Sequence, residues 1–129
     1  MTSTDDFLGE LARTTGITVI EAGKDRVIET APVVGNRQPY GILHGGMNAV
    51  LVEDAGSRLA FYHAPEGKVP VGTNLAVNQL RSVTSGIVQA EAHVVHQGRS
   101  SILLEVRIVD DAGKLSALGQ LTCVYVTPA

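Results

Sequence analysis

The chain has 129 residues, of which 44% are hydrophobic and 18% charged, with a formal charge of −3 at pH 7. That length suits one domain, 1–129, with an ordinary globular core. The mild negative charge, free of long one-sign runs, argues against a surface that neutralises nucleic-acid phosphates. No segment has the uninterrupted apolar length of a bilayer span or the basic-then-apolar start of a secretory signal, so the expectation is a cytoplasmic protein without nucleic-acid or membrane partners.

Thr4 can cap a short helix through "DDFLGELARTT", with Asp5 and Asp6 at its positive end and Gly16 as the stop. "ITVIEA" and "RVIETAPV", separated by "GKD", read as two β-branched strands joined by a hairpin turn. An irregular stretch holding Pro32, Gly35, Asn36 and Pro39 follows. An apolar run from Gly45 to about His63 is long enough for five helical turns, and Pro65 ends it.

From Val69 the period changes to two. "GIVQAEAHVV" sets Val88, Ala90, Ala92 and Val94 against Gln89, Glu91 and His93, and "SILLEVRIV" sets Ile102, Leu104, Val106 and Ile108 against Glu105 and Arg107. "DDAGK" supplies a turn into the last strand, "LSALGQLTCVYV", so the second half reads as a four-strand meander starting near "VPVGTNLAVNQL". The lone cysteine, Cys123, sits in that last apolar run and reads as a buried small hydrophobe. The order describes an α+β domain with one central helix against a curved antiparallel sheet of about six strands. Such a single layer leaves apolar surface uncovered, which predicts a homo-oligomer.

On the central helix, at about 100° per residue, Leu51, Val52, Ala55, Leu59 and Tyr62 fall on one side. Gly46, Ala49, Glu53, Ser57 and Ala60 form another, so Glu53 projects from a face of small residues. Asp54 points a quarter turn away, toward a surface pair with Arg58 four residues on. A carboxylate on a close-packed face needs a partner, water or substrate; a solvated position at an oligomer rim is the alternative. His44-Gly45-Gly46 lies where the first helical turn leaves N–H groups unpaired, a candidate oxyanion site, although paired glycines also serve simple turns. Two turns along, Glu53 could attack a carbonyl held there or activate a water.

"QPYGILHGG", followed at matching spacing by Glu53 and Ser57, resembles the hotdog-fold acyl-CoA thioesterases. Within them it is similar to the branch with a catalytic glutamate, which includes the Arthrobacter-type 4-hydroxybenzoyl-CoA thioesterases, the enterobactin-pathway proofreading thioesterases and the 1,4-dihydroxy-2-naphthoyl-CoA thioesterases. The order of elements matches across nearly the whole chain. The branch with aspartate at the Glu53 position, which includes the phenylacetate-pathway enzymes, is a close second.

The resemblance implies that Glu53 is nucleophile or general base and Gly45 the backbone donor to the thioester oxygen. It makes Gln38 an orienting residue, His44 a residue holding the loop and Ser57 a hydroxyl assisting water. It places Gly46, Gln79, Arg81, Ser82, Gly98, Arg99 and Ser100 toward substrate and CoA, with Arg99 the stronger arginine. Enterobacterial relatives carry histidine where this chain has Gln79, so their handling of a hydroxybenzoyl ring is not transferred.

The implied activity is hydrolysis of an aromatic or otherwise small acyl-CoA, without metal or cofactor, at a site combining two chains of a dimer or of a tetramer built as a dimer of dimers. Dehydration or hydration of acyl thioesters, and a non-catalytic acyl-CoA sensor, are the alternatives on the same fold. Tyr40, Phe61 and Tyr62 are candidates to wall a pocket. His93 and His96 are expected on opposite faces of a regular strand, and so not to share a metal. No nucleophile elbow, dinucleotide fingerprint or P-loop is present.

Overall fold

In the computed structural model, which describes residues 7–129, α1 runs Glu10–Thr15 and ends at Gly16, whose φ of 80° is the left-handed stop its sequence suggests. It begins later than expected, with Gly9 at the N-cap. Thr4, Asp5 and Asp6, the expected cap and first turn, lie outside the described residues. β1 (Thr18–Ala22) and β2 (Val27–Pro32) pair as an antiparallel hairpin. α2 (Gly45–Tyr62) follows, then β3 (Val69–Gln79), β4 (Ile87–Gln97), β5 (Ser101–Val109) and β6 (Leu115–Val126).

The six strands form one antiparallel sheet in the order β1-β2-β4-β5-β6-β3, and α2 packs against it. The period-two pattern has its expected consequence: Val88, Ala90 and Ala92 of β4 and Ile102, Leu104, Val106 and Ile108 of β5 are buried, as are Leu51, Val52, Ala55 and Leu59 of α2. Each large aliphatic side chain buried this way is worth roughly 1.5–3 kcal/mol. Two glycines let helix and sheet approach closely. A Cβ on Gly56 would come within 2.8 Å of Leu121, and one on Gly119 within 2.5 Å of Val52.

The expected four-strand meander is corrected. β4, β5 and β6 are a meander, but β3 pairs with β6 at the far edge, and β4 pairs with β2. The reason lies in residues 80–86, which do not turn tightly. Their carbonyls are taken up by the loop ahead of α2, through Leu43 N–H to Val83, Arg37 to Thr84 and Val33 N–H to Gly86. The linker thus crosses from one side of the sheet to the other, and β3 keeps one edge unpaired among the described residues.

Candidate active site

The loop before α2 is held by side chains as much as by backbone. Asn36 donates to the carbonyls of Thr15 (2.7 Å) and Pro32 (2.8 Å), and its own carbonyl accepts from His44 N–H at 2.8 Å. The turn from Gln38 to Gly41 closes through Gly41 N–H to Gln38 O, while the Gln38 Oε1 accepts from Tyr40 N–H. The Gln38 amide nitrogen has no partner among the described residues, and Gln38 lines a cleft of about 330 Å³ with Gly45, Asn48, Gln79, Arg81 and Ser82.

His44 is the N-cap of α2, and its Nδ1 accepts from Gly46 N–H at 2.8 Å. The Gly46 amide is therefore engaged, and of the two glycine amides only that of Gly45 is without a hydrogen bond among the described residues. Gln79 reinforces this end. Its amide nitrogen donates to Gly45 O at 2.9 Å and its oxygen accepts from Asn48 at 2.7 Å. A Cβ on Gly45 would fall 2.9 Å from the same Gln79 nitrogen. Asn48, almost fully buried at the start of the helix, escaped the sequence analysis. Its signal is a lone amide within an apolar helical run.

Glu53 lies elsewhere. With Gly46, Ala49, Val50, Ser57 and Leu75 it lines a second cleft, also of about 330 Å³, along the small-residue face; Ala60, expected on that face, is buried. Ser57 Oγ donates to Glu53 Oε2 at 2.8 Å, one helical turn on. The carboxylate rests on β3 at Gly72, where a Cβ would come within 2.6 Å of Oε2. The β3–β6 register shifts between Gly72 and Asn74, so a bulge accompanies the glycine. Gly72 also was missed, although a glycine inside an otherwise regular strand signals close approach. Cys123 pairs with Gly72 across the two strands and is fully buried. Burial, and after it the nearby Glu53 charge, pushes its thiol up to about 11.

One sequence expectation fails on distance. Gly45 and Glu53 are eight residues apart on one helix, roughly 12 Å of axial rise, and they line different clefts. A carbonyl bound at the Gly45 amide is thus beyond direct attack by Glu53 of the same chain.

Asp54 pairs with Arg58 at 2.7 Å, as expected, but this is no simple surface pair. Arg58 Nε also reaches Glu29 of β2 at 2.9 Å, and Glu29 is fully buried. Burial, then the neighbouring Asp54, pushes the Glu29 carboxyl up to about 9, so it is held neutral near pH 7; its Oε1 has no partner among the described residues. Arg58 Nη1 and Nη2 donate to the carbonyls of Phe7 and Leu8, each at 3.1 Å.

The remaining candidates divide between the two ends of α2. Arg81, with its Nε 3.4 Å from Asp110, and Ser82 lie at the Gly45 end. Gly98, Arg99 and Ser100 form the β4–β5 turn, next to Gln97, which donates to His63 O beyond the opposite end of the helix. A register shift between Val94 and His96 corrects the reading of the two histidines. His93 sits opposite Glu105 and His96 opposite Leu103, two positions apart on β5, so both take the same face. His93 contacts Glu91, and no group of three or more metal-ligating side chains occurs among the described residues. No helix among them is long and apolar enough to cross a membrane. Phe61 and Tyr62 meet edge to face at 5.8 Å and line a larger cleft, whereas Tyr40 is 90% exposed.

Comparison with known proteins places these features in context. The model of the thioesterase superfamily matches residues 40–117. A proofreading thioesterase, EntH, of Cronobacter turicensis is 33% identical over 116 residues, covering 89% of this chain and 85% of that one. A 1,4-dihydroxy-2-naphthoyl-CoA hydrolase of Listeria monocytogenes is 32% identical over 113 residues, covering 87% and 92%. Among solved structures, a Haemophilus influenzae thioesterase superposes with a TM-score of 0.89 at 30% identity, over 98% of this chain and 92% of that one. The chain shares with that structure the hotdog architecture, one long helix on an antiparallel six-stranded sheet.

Proposed function

This chain belongs to the thioesterase superfamily and is a thioester hydrolase, and from that premise we propose that its substrate is an acyl-CoA with an aromatic or otherwise small acyl group. The carrying observation is Glu53, a carboxylate fixed by Ser57 against a strand glycine and opening on a cleft. A thioester carbonyl is already electrophilic, so one donor to its oxygen and one carboxylate are enough to hydrolyse it. The Gly45 amide, at the positive end of α2, is that donor, and the Gln38 amide nitrogen orients the carbonyl or the water beside it.

Glu53 either attacks the carbonyl carbon to give an anhydride that water then opens, or takes a proton from the attacking water. In both courses the C–S bond breaks, CoA leaves as the thiol, and the acid is released. Because Gly45 and Glu53 of one chain line different clefts, the site is assembled from two copies, with Gln38 and Gly45 of one meeting Glu53 and Ser57 of the other. Arg81, which lines the Gly45 cleft, and Arg99 are the arginines proposed to meet the CoA phosphates, which a guanidinium suits through its fork. No metal or cofactor is needed for this chemistry.

The hydratase reading is weaker. His44 Nδ1 accepts from the Gly46 N–H of the helix, so that lone pair is engaged in capping and is not free to take a proton from a substrate C–H. Release of free CoA from benzoyl, phenylacetyl, dihydroxynaphthoyl and short fatty acyl thioesters tests the proposal. Turnover of at least one is expected; tight binding of all with release from none would leave a sensor.

A further inference from the structure

A cleft of about 560 Å³ lies beside Ser57 and is walled by Phe7, Leu8, Val19, Phe61, Tyr62 and Pro70, with Arg58 also lining it. Ser57 and Asp54 line both this cleft and that of Glu53, so the two adjoin beside the residue that holds the carboxylate. If the substrate is an acyl-CoA, as proposed above, an acyl group attached at the Glu53 end extends into this apolar space. We propose that Arg58 is a positioning residue that sets acyl selectivity by fastening Phe7 and Leu8 as one wall of the cleft.

The fastening has a definite construction. Residues 7 and 8 precede α1, belong to no strand, and leave Phe7 67% exposed. Their two carbonyls are bonded by the two terminal nitrogens of one guanidinium, fifty residues distant in the chain. The base of that guanidinium is fixed in turn, since its Nε is shared between Asp54 on the same helix and the fully buried Glu29 on β2. A planar fork with five donors can hold the Asp54 carboxylate, the Glu29 carboxyl and two backbone carbonyls together; a lysine ammonium in its place cannot reach all four. Leu8 also packs against the core, so it is the hold on the exposed Phe7 that depends on this one side chain. With it in place the cleft is bounded on that side by Phe7, and with it released the cleft opens to longer chains.

The test is a double-mutant cycle on selectivity, using Arg58→Lys, Phe7→Ala and the double variant, with kcat and KM measured for benzoyl-CoA and decanoyl-CoA. Arg58→Lys should raise kcat/KM for decanoyl-CoA relative to benzoyl-CoA by about tenfold, mostly through KM, on the scale of a pocket gaining or losing a methylene or more. Phe7→Ala, a change at an exposed side chain that spares the core, should do the same. In the double variant the lysine should add nothing further, because the wall it released is already gone. An equal fall in kcat for both substrates, or a lysine effect that persists undiminished without Phe7, would overturn the wall. Should Arg58→Lys fail to fold, an unchanged profile in Phe7→Ala decides against it alone. A parent inactive on both and on the wider panel defeats the acyl-CoA reading and the wall with it, whereas an active parent with unchanged variants defeats only the wall.

Discussion

Glu53 and Asp54 are adjacent acids with different surroundings, and substitution should separate them. Glu53→Gln keeps the size and removes the charge at the face opening on a cleft, so hydrolysis should fall by orders of magnitude while the fold and acyl-CoA binding persist. Asp54→Asn should leave turnover nearly intact and lower stability, since it weakens the anchorage of Arg58. Steady-state CoA release and thermal melts on both variants check this; a fully active Glu53→Gln refutes the carboxylate mechanism. Glu29 predicts a pH dependence. Its folded-state value, about 9, lies above the ordinary carboxylate range, so the folded protein binds a proton that the unfolded chain has released. Its contribution to stability is full in acid and is lost as pH rises from about 4.3 toward 9. Denaturant titrations at pH 5, 7 and 9 should show that decline in the parent and a flatter profile in Glu29→Gln. Spacing along the helix made both acids and Ser57 legible in the sequence. Glu29 was not, because a lone glutamate in "VIETAP" looks like the solvent side of a strand until α2 is laid over it.

At the scale of elements, α2 and β3 together shape the surroundings of Glu53. α2 follows from its apolar run and from the paired glycines that open it, and its start and length agree closely with expectation. β3 agrees in extent but not in partner. Alternation along a strand reports which face is buried and carries no information about which neighbour it pairs with, and the long-range bonds of residues 80–86 decide that. The bulge at Gly72 is where this strand comes up against Glu53. Gly72→Ala would drive a methyl group into the Glu53 carboxylate, so kcat should drop at least tenfold with only a small change in melting temperature. An Ala variant with parental kcat would show that the carboxylate does not depend on this contact.

For the whole molecule, the expected partner is a second copy. β3 offers an eleven-residue strand with one edge unpaired among the described residues and exposed Val71 and Leu75, and the two halves of the candidate site line separate clefts in one chain. Light scattering at micromolar concentration should find a dimer or larger assembly, with activity lost on dilution to monomer; a stable active monomer rules this out. The fold class was legible because composition and period determine layers, whereas a site shared between chains is written in no local spacing. Cys123 gives the molecule a further property. Its sulfur lies behind the Glu53–Ser57 pair, fully buried, with a thiol too basic to ionise at neutral pH. A disulfide reagent in bulk solution can reach it only when β6 parts from the helix, so native labelling should be slow and should follow the rate or population of that opening. The chain's single thiol thus serves as an internal gauge of core breathing, readable by colour without a label, and a substrate that tightens the site should slow its reaction.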